Sequence, residues 1–138
     1  GYAGHMAYEK TAYYWRFVNT RSTVHRFHPD YFEACLNAAE AIKGAISAAW
    51  GDNDALQTAY LRQLIGGAFS AVCNYYYKTS PMSRAERTAA VRQLCQNRAL
   101  RAAITRTGIS DIRADWIMRQ NAAMLGLYAR AANLKHGR

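Results

Sequence analysis

The run Leu64-Ile65-Gly66-Gly67-Ala68-Phe69-Ser70-Ala71-Val72-Cys73-Asn74-Tyr75-Tyr76-Tyr77 contains no charged residue. A helix without a charged face has no side to turn to water, so this run predicts the central, most buried helix of a bundle. Its start falls after Asp52-Asn53, its end near Lys78, and Pro81 enforces a break beyond it. Gly66-Gly67 lies mid-helix, where close helix packing explains it more simply than phosphate binding. No apolar run reaches the 18 residues that would read as a membrane span.

Working outward, Pro29-Asp30 with Glu33 three residues on predicts a helix start upstream. Tyr31, Cys35, Ala38, Ile42, Ala45 and Ala49 follow at helical spacing up to Trp50-Gly51, with Glu33, Asn37, Glu40 and Ser47 opposite. Downstream, Ser83-Arg84-Ala85-Glu86 matches a capping box. Val91, Leu94 and Cys95 then point one way on a helical wheel, and Leu100, Ala103 and Ile104 about half a turn away. One straight helix cannot bury both sets, so a break is predicted near Gln96-Asn97, with a short helix reaching Thr107-Gly108. Ser110-Asp111 opens a last helix running to about Lys135 and stopping at Gly137. Its apolar residues form one side at Ile112, Trp116, Ala123, Leu127 and Leu134, and a second at Ile117, Met124, Tyr128 and Ala131.

Residues 8–18, Tyr8-Glu9-Lys10-Thr11-Ala12-Tyr13-Tyr14-Trp15-Arg16-Phe17-Val18, are aromatic and β-branched and read as a strand, followed by a polar loop to His28. A lone strand must pair with another sheet or with a copy of itself. Gly1-Tyr2-Ala3-Gly4-His5-Met6 reads as a cloning scar ahead of an internal start. The expected fold is therefore all-α: a bundle of four to five helices over residues 29–138, preceded by one N-terminal strand or extended segment at 7–28.

Composition agrees. The 138 residues include 26 Ala and only 2 Pro, and 51% are hydrophobic, which excludes a disordered tail, a collagen-like chain and a β-sandwich. The net charge of +9 is uneven: +1 over residues 1–83 and +8 over 84–138, mostly Arg. Such asymmetry points to a polyanionic partner, either nucleic acid or an anionic membrane, or else to a solvated helical face. Cys35, Cys73 and Cys95 are odd in number, lack CxxC spacing and lie in helical stretches, as buried reduced thiols of a cytoplasmic protein would.

No self-sufficient active site is present. There is no HExxH, no GxSxG and no Walker-type glycine loop, and the acids are scattered. Among His5, His25, His28 and His136, only His25 and His28 are close in sequence, and no carboxylate pair stands near them to complete a zinc site. No catalytic residue, metal ligand or cofactor is assigned. The cluster Tyr13-Tyr14-Trp15-Arg16, Arg21-Ser22-Thr23 and His25-Arg26 is the richest candidate for anion recognition, since Arg forks and hydroxyls suit phosphate and aromatics suit base stacking. An edge strand packing its aromatics on the helices, with its Arg residues in water, is the plainer alternative.

Tyr13-Tyr14-Trp15-Arg16, a short gap and Ser22-Thr23 resemble the segment that closes the GT-A catalytic domain of bacterial family 2 glycosyltransferases. Those enzymes often continue into a helical region with a long apolar helix, a Ser-x-x-Glu helix start and a basic segment. Ser83-Arg84-Ala85-Glu86 and Arg98-Ala99-Leu100-Arg101 are similar to that series, and the resemblance covers about residues 8–135. It implies a nucleotide-diphosphate sugar donor, an Asp-x-Asp motif with a divalent metal, and a carboxylate base, all in a preceding GT-A domain. It also implies that Arg16, Ser22 and His25 lie near the donor diphosphate. One departure is Arg21, which stands where the family commonly has Gly.

The last helix bears Arg113, Arg119, Arg130 and Lys135, candidates for an anionic surface. The leading expectation is a C-terminal helical module in polysaccharide synthesis, inactive alone and peripheral at the inner face of the membrane near a lipid-linked acceptor. The alternatives are a small nucleic-acid-binding protein and an oligomerisation module whose strand pairs across a homodimer.

Overall fold

The structure, a computed structural model, describes residues 26–51 and 54–135, which contain six α-helices and no strand. The strand expected at 8–18 and the first six residues lie outside the described residues. The helices are α1 (Tyr31–Trp50), α2 (Asp54–Tyr75), α3 (Arg84–Gln96), α4 (Arg98–Thr107), α5 (Ile112–Met118) and α6 (Ala122–Lys135).

The uncharged run is the axis of the bundle. α2 packs against α1, α3, α4 and α6, and Leu64, Ile65, Ala68, Ala71, Val72 and Asn74 are all essentially without solvent contact. α1 lies antiparallel to it, with Glu40 bonded to Tyr60 and Cys35 level with Gly67. A Cβ on Gly67 would fall 3.1 Å from Cys35 Cβ, so the glycine sets how closely the two helices approach. Gly66 faces open space and has no such role.

The helix boundaries follow local chemistry. Ser83 Oγ accepts from Glu86 N at 3.3 Å while Glu86 Oε2 accepts from Ser83 N at 2.6 Å, closing the capping box at α3. The break at Asn97 stands where the apolar phase reverses. Asn97 ends α3 and caps α4, its Oδ1 accepting from Leu100 N at 3.0 Å, and both apolar sets are buried.

The single last helix expected over 110–135 is in fact two, which brings the total to six. Gln120 sits at φ 53°, and Asn121 N reaches back to Trp116 O at 2.8 Å while Gln120 N bonds Ile117 O at 3.0 Å. That is a Schellman motif with Gln where Gly is usual, so no glycine marked it in the sequence. Asn121 then caps the new helix by accepting from Met124 N at 3.2 Å.

Two apolar stripes are also displaced. α1 buries Phe32 and Ala39 and half-buries Cys35 and Leu36, leaving Ala38, Ile42, Ala45 and Ala49 exposed. α6 buries Ala122, Leu125, Gly126, Ala129 and Asn133, while Leu127 is 58% and Leu134 77% exposed. Small residues won the inner face because they let α6 approach its neighbours closely. The turn at Gln120 also resets the phase that one continuous wheel had assumed.

Two buried amides fasten the periphery to α2. Asn74 accepts from His28 N at 3.1 Å and donates to His28 O at 2.8 Å, and Phe27 N donates to Thr79 Oγ1 at 3.0 Å. Asn133 of α6 donates to Cys73 O at 2.9 Å.

Candidate anion-binding cleft

Arg84, Thr88 and Arg92 are spaced by four along α3 and so form one row on its surface. Ala122, Gly126 and Arg130 form the matching row on α6, and α3 packs against α6. Between the rows opens a cleft of about 550 Å³, closed at one end by Gln120 and Asn121 of the α5–α6 turn. None of its lining residues is acidic.

Tyr76 occupies the wall between the rows. Gly126 makes this possible, since a Cβ there would fall 2.5 Å from Tyr76 Oη and 3.0 Å from Cζ. The Arg87 and Arg130 guanidinium groups lie 5.7 Å and 5.5 Å from the centroid of the Tyr76 ring. Both distances suit cation–π attraction, which fixes Arg130 beside the opening. Arg87 itself donates to Ser80 O at 3.3 Å and is not among the residues that line the cleft.

The cations singled out from the sequence do not act as one stripe. Arg113 is turned into the fold. It donates to Asp111 from Nε (2.9 Å) and Nη2 (2.5 Å), bonds Tyr128 Oη at 2.9 Å, and lies 4.1 Å from the Phe69 ring centroid. Its guanidinium holds the Asp111 carboxyl below the usual carboxylate range. Arg119 is exposed and 3.7 Å from Asp115, and Lys135 is exposed at the end of α6. Arg130 alone of the four lines the cleft. Arg16, Ser22 and His25 lie outside the described residues.

Arg84 and Arg92 are the partners that sequence reading did not single out. The signal was present as the four-residue spacing through Thr88, but it becomes a site only when α6 lies across it. Among the described residues no three His, Cys, Asp or Glu side chains come together to hold a metal. Cys95 is buried, and desolvation pushes its thiol up to about 11, so it stays protonated at neutral pH. A second hollow of about 400 Å³ between α1 and α3 carries Asp30 and Glu33 at its rim and has the opposite electrostatic character. No protein-family model matches this chain, and neither do any curated proteins or solved structures.

Proposed function

We propose that this chain is the helical C-terminal module of a family 2 glycosyltransferase, and that α6 seats it on an anionic membrane surface where a lipid-linked acceptor would be reached. The resemblance of residues 13–23 and 83–101 to that family supports the first half. The observation that carries the second is the outer face of α6. Leu134 is the most exposed large apolar side chain among the described residues, and Leu127 at the lip of the cleft is also largely exposed, on a helix with Arg130, Lys135 and no acid.

Apolar side chains projecting between cations are what an interfacial helix requires. Each basic residue near anionic lipid contributes about 1 kcal/mol, and the apolar side chains add burial that salt does not screen. Among the described residues no helix is long and apolar enough to cross a membrane, so the association is of the surface kind. The divalent metal implied by the resemblance finds no ligand set among the described residues. On this reading it belongs to the GT-A domain, as do donor binding and the chemical step.

Vesicle co-sedimentation tests the proposal. The chain should bind vesicles containing phosphatidylglycerol and leave neutral phosphatidylcholine vesicles unbound. Leu134→Asp and Lys135→Glu should each release it. Binding to single-stranded oligonucleotides but not to anionic vesicles would instead identify a nucleic-acid-binding protein, with the steep salt dependence that implies. Nucleotide-sugar added to this chain alone should be neither transferred nor hydrolysed; turnover would refute the module reading.

A further inference from the structure

We infer that the cleft between α3 and α6 is a binding site for an organic phosphate or diphosphate ester, whether or not α6 meets a membrane. Charge balance is the first argument. Arg113 has its charge answered by Asp111, and Arg119 lies beside Asp115, but Arg84, Arg92 and Arg130 border a cleft with no acidic lining residue. Three guanidinium groups of like charge held around one opening repel each other, and an anion placed between them removes that cost. Arg is also suited to the oxygens of a phosphate, because its planar fork presents two parallel donors.

The neutral groups at the closed end have the matching polarity. Gln120 Oε1 accepts from Gln96 Nε2 at 3.4 Å, and Asn121 Oδ1 accepts from Met124 N at 3.2 Å. In both amides the oxygen is engaged within the protein, which leaves the NH₂ as the end to offer an incoming anion. Thr88 donates its hydroxyl proton to Arg84 O at 2.9 Å and contributes shape rather than a donor.

The α6 wall separates an ester from a free inorganic ion. Ala122, Ala123, Gly126 and Leu127 make it apolar, and the Tyr76 ring adds an aromatic surface. A cleft of about 550 Å³ lies within the range of small-molecule sites. The phosphate would sit against Arg84, Arg92 and Arg130, with its organic substituent against Leu127 and Tyr76.

Isothermal titration calorimetry on the full chain tests this with three probes: inorganic pyrophosphate, adenosine diphosphate, and monomeric dihexanoyl phosphatidate. At least one ester should bind more tightly than pyrophosphate, and which one does separates a nucleotide-like ligand from a lipid headgroup. Arg84→Gln and Arg92→Gln should each weaken that binding roughly tenfold, the loss expected of one charge-assisted contact. Both side chains are exposed, so folding is retained and circular dichroism verifies it. Arg106→Gln, on α4 away from the cleft, should leave affinity unchanged. Leu134→Asp should keep ester binding while abolishing vesicle binding, which distinguishes this site from the membrane face. Pyrophosphate binding as tight as either ester, an equal loss in Arg106→Gln, or no binding of any probe at 1 mM would overturn the assignment.

Discussion

Replacing Asn74 is the sharpest test of how the bundle holds the chain that leads into it. The side chain is completely buried and makes two hydrogen bonds to the backbone of His28, one in each direction. Each such bond contributes about 1 kcal/mol net. Asn74→Ala loses both, and the better helix propensity of Ala returns about 0.5 kcal/mol. The expected net loss is about 1.5 kcal/mol, or about 6 °C in Tm for a chain of this size. Asn74→Asp should do worse at pH 7. It keeps the acceptor for His28 N but sets a carboxylate oxygen where the NH₂ lay 2.8 Å from His28 O, and it buries a charge. That penalty belongs to the ionised form, so Asn74→Asp should recover towards Asn74→Ala as the pH is lowered. Thr79→Val removes the neighbouring bond to Phe27 N. Because Asn74 holds His28 and Thr79 holds the adjacent Phe27, releasing one loosens the other, and the double variant with Asn74→Ala should lose less than the sum of the single losses. Thermal unfolding followed by circular dichroism measures all four, and amide exchange at Phe27 and His28 reports the release directly. A Tm within 2 °C of wild type for Asn74→Ala, or identical behaviour of the Ala and Asp variants across pH, would refute the reasoning.

Arg113→Met keeps an apolar stem over Phe69 but removes the ion pair to Asp111 and the bond to Tyr128. Thermal unfolding at pH 7 should show a loss of about 2 kcal/mol. The same pair predicts a pH dependence: Asp111 is depressed in the fold, so its stabilisation is complete above the unfolded carboxylate range near pH 4 and fades as the pH falls through the folded value. The Tm gap between wild type and Arg113→Met should accordingly shrink between pH 6 and pH 3, and a constant gap would count against the pairing. Gln120→Gly should raise stability by about 0.5–1 kcal/mol, because glycine adopts the left-handed conformation at no steric cost; a lower Tm would show that the Gln120 side chain matters more than its backbone. Cys95 should resist iodoacetamide at pH 8 in the folded protein and react once guanidinium unfolds it, as mass spectrometry of the labelled peptide would record.

Much of the helical architecture can be read from residue order because it rests on local chemistry. The uncharged run at 64–77 marked the buried axis, Ser83 and Glu86 marked a cap, and the phase reversal between Cys95 and Leu100 placed the break at Asn97. What could not be read depended on packing between helices. The Schellman turn at Gln120 uses a residue that gives no turn signal. The buried face of α6 was chosen by how closely Ala122, Gly126 and Ala129 let it approach, not by where its largest apolar residues stand. The cleft was hidden for the same reason, since Arg92 and Arg130 become neighbours only when α3 and α6 are packed together. Charge counting found the basic half of the chain but could not tell the internally paired Arg113 from the cations that face outward.

Cys73 and Asn74 in the last turn of α2, and Tyr76 just beyond it, hold three separate parts of the molecule. Cys73 O is gripped by Asn133 of α6, Asn74 grips His28, and Tyr76 rests on Gly126 with the Arg87 and Arg130 guanidinium groups near its ring. At 1.5 Å per residue these attachments lie within about 5 Å along the helix axis. The end of α2 is thus a mechanical node: a pull on the chain at His28 is resisted at Asn74, about one helical turn from the cleft. The spacing of the cleft walls and the direction in which residues 26–28 leave the bundle are then geometrically one adjustment, set by the seating of a single helix end.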